Sequence, residues 1–164
     1  MSYVPTCLLE AVVGIIPIGV GLWKNKKLTV YNTMWWYCML VYMLVVIMIT
    51  FFSREPGSRR GIDLQLFSTW GVSTQAKAYV IENIFMFLPL GVLRALRKKS
   101  NDKIFLKEIC LYIGISCIIE GVQLITGRGY CQLDDVIMNT LGGILGYSFM
   151  KLLNTVWRKM CERN

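Results

Sequence analysis

Apolar residues in this chain gather in blocks instead of recurring at amphipathic spacing. Each block approaches the span a bilayer needs, about 20 residues for about 30 Å of hydrocarbon. The first runs from about Val4 to Trp23 and contains Gly14, Pro17, Gly19 and Gly21. The second, Met34 to Phe52, carries no charge at all. The third, about Tyr79 to Leu96, is interrupted by Glu82, Asn83, Pro89 and Arg94. The fourth covers about Ile104 to Ile125, with Glu120 and Gln123 near its end, and the fifth about Asp135 to Trp157. The pattern predicts an all-α fold, one membrane domain over residues 1–164 built as a bundle of about five transmembrane helices. Pro17 and Pro89 each remove a backbone donor, so the first and third helices are expected to tilt or kink. The first block lacks a basic segment before it and a small-x-small cleavage site, which reads as a retained helix and not a signal peptide.

Composition agrees with that reading. Of 164 residues 55% are hydrophobic and 17% charged, against about 25% charged in an ordinary soluble domain; mean hydropathy is +0.50. The distribution of Lys and Arg predicts orientation. Thirteen of the 18 basic residues fall on one side of five spans: Lys24, Lys26 and Lys27, then Arg94 to Lys107, then Lys151 to Arg163. The other side has Arg54, Arg59, Arg60, Lys77 and Arg128. The basic side belongs to the cytoplasm, placing the N-terminus outside and the C-terminus inside. A net charge of +8 is then a basic collar beside anionic lipid headgroups, and no nucleic-acid partner is expected.

Histidine is absent, which excludes the usual zinc sites and His-dependent catalytic sets. No cofactor and no resident metal are expected. The six cysteines show no CxxC pairing, and Cys38, Cys110 and Cys117 fall within predicted spans. They read as small buried hydrophobes, with Cys7 and Cys131 the one pair placed to meet on the outer side.

Ionisable residues inside a span are functional-site candidates, because burial is unfavourable unless a partner or water compensates. Glu120 and Gln123 are three apart and share a helix face. From Asp135, helical steps reach Asn139, Gly142 and Gly146, a stripe polar above and small below. Gly142 and Gly146 form a G-x-x-x-G that admits a close neighbouring helix. Asn83 faces the same depth, with Glu82 beside it, and Arg128 sits between two glycines in the loop from Thr126 to Asp134. Asn83, Glu120, Gln123, Arg128, Asp135 and Asn139 are expected to converge in one pocket opening outward. In the structural alternative, Arg128 pairs with Asp135 or Glu120, Asn83 bonds Asn139, and the polar groups only fix packing. The outer loop from Ser53 to Ala78 carries Leu64-Gln-Leu-Phe67 and Trp70, apolar patches suited to the membrane interface.

These residues carry a resemblance. Glu120-Gly-Val-Gln123, Thr126-Gly-Arg128, Leu133-Asp134-Asp135-Val136 and Asn139-Thr-Leu-Gly-Gly143 resemble the signature of VanZ-like membrane proteins: E-x-x-Q, an outer Arg, and D-D-x-x-x-N-T-x-G. Asn83 to Gly91 resembles the family's N-x-x-x-F-x-P-x-G. Arg60 to Phe67 is a looser match to R-x-x-N-L-x-P-F, with Asp63 for Asn and Leu66 for Pro. The motifs lie within about residues 54–150. The resemblance implies a multi-helix protein of the bacterial plasma membrane and an association with low-level resistance to teicoplanin, a lipoglycopeptide.

Three functions follow as expectations. In the first, the pocket binds or shields the headgroup of a lipid-linked wall precursor or a lipoglycopeptide, with Asn83, Gln123, Arg128, Asp134 and Asn139 as contacts. In the second, Glu120 and Asp135 are acid/base residues of an intramembrane enzyme acting on envelope lipids, a carboxylate pair engaging Mg²⁺ through a substrate phosphate. In the third, the protein is a scaffold with no site. Membrane lipids are partners in all three, and the oligomeric state is left open.

Overall fold

A computed structural model describes residues 27–52, 55, 57, 59–66, 74–97 and 102–162. The expected first helix, with its Glu10 face and Cys7, lies outside the described residues. Within them are helix α1 (Lys27–Ile47), a π-helical turn (Met48–Phe52), strand β1 (Arg59–Asp63), helices α2 (Thr74–Arg97) and α3 (Asp102–Thr126), strand β2 (Arg128–Gln132) and helix α4 (Leu133–Cys161). Four of these segments are long and apolar enough to cross a membrane: Val30–Phe52, Lys77–Arg97, Ile104–Thr126 and Leu133–Cys161.

The helices overrun the apolar blocks that predict them. Once a turn is nucleated, each added residue gains a backbone hydrogen bond, so Lys27–Thr33 and Arg158–Cys161 stay helical without being apolar. α2 also continues through Pro89, and the missing donor does not end it. The described residues are mostly helical, and to the all-α expectation the structure adds one short two-stranded sheet. β1 and β2 pair in parallel, Arg59 opposite Arg128 through Asp63 opposite Gln132. Parallel pairing requires distant segments, and five-residue runs such as Arg-Gly-Tyr-Cys-Gln have no period that announces it. Gly61 lies opposite Tyr130, where a Cβ would meet the tyrosine ring at 2.7 Å. Gly127, with φ of 64°, ends α3 in the left-handed region open to glycine and turns the chain directly into β2.

In α1, Trp35 stacks edge-on against Trp36, centroids 4.9 Å apart. From Ile47 onward a second compact unit forms. There α2 and α4 run parallel, and α3 lies antiparallel against them. Gly142 of α4 sits on the backbone of Ile84 and Gly146 on that of Leu88, while Gly91 of α2 sits on Gly143 and Tyr147. The G-x-x-x-G is thus a packing seam, as its spacing predicts. Phe87, Leu90, Tyr112 and Met138 fill the interior, whereas Leu106, Ile118, Ile125, Leu152 and Trp157 face outward. A bundle with an apolar exterior and polar groups inside suits a lipid surround. Cys38, Cys110 and Cys117 also lie on the exposed surface, not buried as the sequence predicts. Small apolar side chains are equally at home against lipid.

Candidate functional site

The end of α3 and the start of α4, which meet β2, carry Glu120, Asp134 and Asp135. β2 runs straight into α4, whose first turn contains Asp134 and Asp135. A helix N-terminus exposes unpaired N–H groups and a partial positive charge, and carboxylates are stabilised there. Gln132, the residue before α4, makes no side-chain cap. Its backbone N–H instead donates to Glu120 Oε2 at 3.2 Å. Glu120 of α3 therefore caps α4, and this compensates a carboxylate only 2% exposed.

Asp135 is held from the other side. Asn83 Nδ2 of α2 donates to its Oδ1 at 2.7 Å. Between these groups opens a cavity of about 360 Å³, counting the mouth that opens to solvent. Its polar lining is Thr50, Glu82, Asn83, Glu120, Gln123 and Asp135, and Ile49, Met86 and Ile119 supply apolar wall. Three carboxylates and two amides in so small a space favour ligands with several N–H or O–H donors, or an ammonium. Among the described residues no three His, Cys, Asp or Glu side chains are grouped to hold a metal ion.

Four residues expected in one pocket, Asn83, Glu120, Gln123 and Asp135, do share this cavity. The others stand elsewhere. Asp134 is 1% exposed but is not part of the cavity lining. Asn139 lies one turn deeper and donates to Ser116 Oγ at 2.8 Å, so the expected Asn83–Asn139 bond gives way to Asn83–Asp135. Arg128 donates to the backbone oxygen of Phe51, and its guanidinium lies 6.0 Å from the Phe52 ring centroid. Among the described residues it has no carboxylate partner, so neither suggested ion pair forms. The reason is the π-helical turn. Its widened register presents the Phe51 carbonyl to a donor outside the helix, and Arg128 takes it.

Thr50 went unrecognised in the sequence, where the block from Met34 to Phe52 reads as uniformly apolar. So did the pair at the opposite end of the bundle. Arg94 donates through Nε to Glu108 Oε2 at 2.7 Å and through Nη2 to Oε1 at 2.8 Å. A signal existed: Glu108, Tyr112, Ser116 and Glu120 are four apart, a polar stripe down one face of α3.

Cys131 is a free, half-buried thiol on β2. Burial first, then the charges of Glu120, Cys117 and Asp135, push its pKa above the usual thiol value. Less thiolate then exists at neutral pH. In a chain retaining Cys131 alone, a water-soluble maleimide should react at pH 7.4 several-fold more slowly than with an exposed reference thiol, and the gap should narrow toward pH 10. Equal rates at pH 7.4 would contradict this placement.

Residues 34–154 match the family model described as VanZ/LLP1. The chain is also similar to Protein VanZ of Enterococcus faecium, 33% identical over 75 residues. That stretch is 46% of this chain and 45% of the relative, so the chain spans less than half the length of the protein it matches. No solved structure matches it.

Proposed function

This chain belongs to the VanZ/LLP1 family, and from that premise we propose that it is a multi-pass protein of the bacterial plasma membrane that binds or shields an envelope headgroup. The observation that carries the proposal is the cavity lined by Glu82, Asn83, Glu120, Gln123 and Asp135 inside helices apolar enough to cross a bilayer. Carboxylates so placed are rarely ornamental. Positive residues gather at the far end of α2 to α4, at Arg94, Arg97, Lys107, Arg158 and Lys159. The positive-inside rule then puts that end in the cytoplasm and the cavity on the outer face.

The ligand class follows from the lining. An acidic, amide-bearing cavity repels phosphate and accepts amide, hydroxyl and ammonium donors, so the sugar and peptide portion of a lipid-linked wall precursor or a lipoglycopeptide fits better than its anionic portion. Arg128, occupied by Phe51, fixes the rim and does not serve as the primary contact. In bacteria expressing the chain, Glu120→Gln and Asp135→Asn should each raise teicoplanin sensitivity to that of cells lacking it, at unchanged membrane abundance. Full resistance in both abundant variants would remove this reading.

One observation favours a second reading. Glu120 and Asp135 share the cavity while only Asp135 carries the Asn83 donor, an asymmetry suited to an acid and a base acting on an envelope lipid. It predicts an altered membrane-lipid profile in both variants, whereas simple binding leaves that profile intact.

A further inference from the structure

The polar groups do not stop at the cavity. On α3, Glu108, Tyr112, Ser116 and Glu120 follow one another at four-residue spacing, each no more than 2% exposed. On α4, which runs the opposite way, Asp135, Asn139 and Tyr147 face the same seam. Where Gly143 leaves α4 without a side chain, the Tyr112 ring packs against it. The seam therefore passes from the cavity through the Asn139–Ser116 bond and the two tyrosines to the Arg94–Glu108 pair. Glu108 and Gln123 are separated by about 22 Å along α3, most of the roughly 30 Å hydrocarbon layer.

The seam contains buried polar atoms left unsatisfied by the described residues. Asn139 Oδ1 and the Tyr147 hydroxyl are buried and make no hydrogen bond among the described residues. Buried polar atoms that no protein group satisfies are the usual lodging of ordered water. The spacing suits water as well. Four helical residues rise about 6 Å, and one water bridging two hydrogen bonds of about 2.8 Å covers nearly that step.

We propose that this seam is a hydrated proton path across the membrane, linking the carboxylates of the cavity to the Arg94–Glu108 pair. A proton from one solution is taken up at Asp135, Glu120 or the more exposed Glu82. It passes along waters and the hydroxyls of Ser116, Tyr112 and Tyr147, each accepting one proton and giving up another. It leaves by way of Glu108: Oε1 takes the proton as the Arg94 Nη2 bond opens and yields it to water on the far side as that bond re-forms, so the net change is one proton moved down its gradient. Asn139 accepts from a water and orients it without itself changing protonation. An unpaired arginine in such a path would repel protons; here both carboxylate oxygens of Glu108 hold the Arg94 guanidinium, so the inner end is a neutral pair. Lys151 sets a further ammonium beside the seam, 5.4 Å from the Tyr147 ring centroid.

The test uses the full chain reconstituted in phosphatidylcholine–phosphatidylglycerol vesicles with a trapped pH dye and a valinomycin-set potassium potential. Wild-type vesicles should change internal pH several-fold faster than protein-free vesicles. Asn139→Leu, which replaces the water-holding amide, should return the rate to the protein-free level. Ser116→Ala removes one oxygen with almost no change of shape and decides the matter should Asn139→Leu fail to reconstitute. It should lower the rate clearly while melting temperature in detergent stays near wild type. A wild-type rate equal to that of protein-free vesicles overturns the proposal. So does a folded Ser116→Ala or Asn139→Leu protein that conducts like wild type, since the proton then does not travel by this seam.

Discussion

Arg94→Ala should destabilise the bundle by about 3–5 kcal/mol, the usual penalty for stranding one member of a buried ion pair. The two partners are not equivalent. The Glu108 side chain is 3% exposed while that of Arg94 is 26% exposed. Removing the arginine leaves a buried carboxylate with both oxygens stripped of their charged partner. Removing the carboxylate leaves a long side chain able to extend its charged end toward the membrane surface, so Glu108→Gln should be the milder change. The double variant Arg94→Ala/Glu108→Gln then has no stranded charge and should recover most of the loss. Denaturant or thermal unfolding of the purified chain in detergent reads all three. Arg94→Ala as stable as wild type, or a double variant no better than Arg94→Ala alone, would show that the pair does not hold this end together.

The spans were legible because lipid demands long uninterrupted apolar runs, and the blocks from Met34 to Phe52 and from Ile104 to Ile125 supply them directly. Their ends were not, since Lys27 to Thr33 and Arg158 to Cys161 are helical on propensity and continuity. The strands escaped for a different reason. Arg59 pairs with Arg128 with the whole of α2 and α3 between them in sequence, and neither segment alternates clearly. The site was legible where a residue's type conflicted with its surroundings. Glu120, Gln123, Asp135 and Asn83 stand out in apolar helices, and all four line the cavity. Their partners were hidden because partnership is set by depth and rotation: Asn83 meets Asp135 and not Asn139, and Glu120 meets a backbone N–H. Glu108 passed unnoticed beside Lys103 and Lys107, where an acid looks like part of a solvated collar. Arg128 looked like a ligand contact because nothing in the sequence announces that the helix widens at Met48–Phe52 and offers a carbonyl.

The glycines of the α2–α4 seam set the distance on which the cavity depends. A Cβ built at Gly146 meets the Leu88 carbonyl, one at Gly142 meets that of Ile84, and one at Gly91 meets that of Gly143. Each obstacle is backbone in the middle of a helix and cannot turn aside as a side chain would. The helices must move apart instead, and the Asn83–Asp135 bond of 2.7 Å lies less than two turns from Gly142. Gly142→Ala and Gly146→Ala should therefore destabilise the protein by about 3 kcal/mol, the upper end of overpacking, and weaken the cavity's function even where the protein remains folded. Gly114 and Gly121 of α3 are the internal control, for a Cβ at either meets nothing within 4 Å. Alanine there should stabilise by about 0.5–1 kcal/mol, because it relieves the entropic handicap of glycine within a helix. Melting temperatures of the four variants should fall on opposite sides of wild type. If Gly146→Ala and Gly114→Ala shift stability in the same direction, close backbone approach is not what joins α2 to α4.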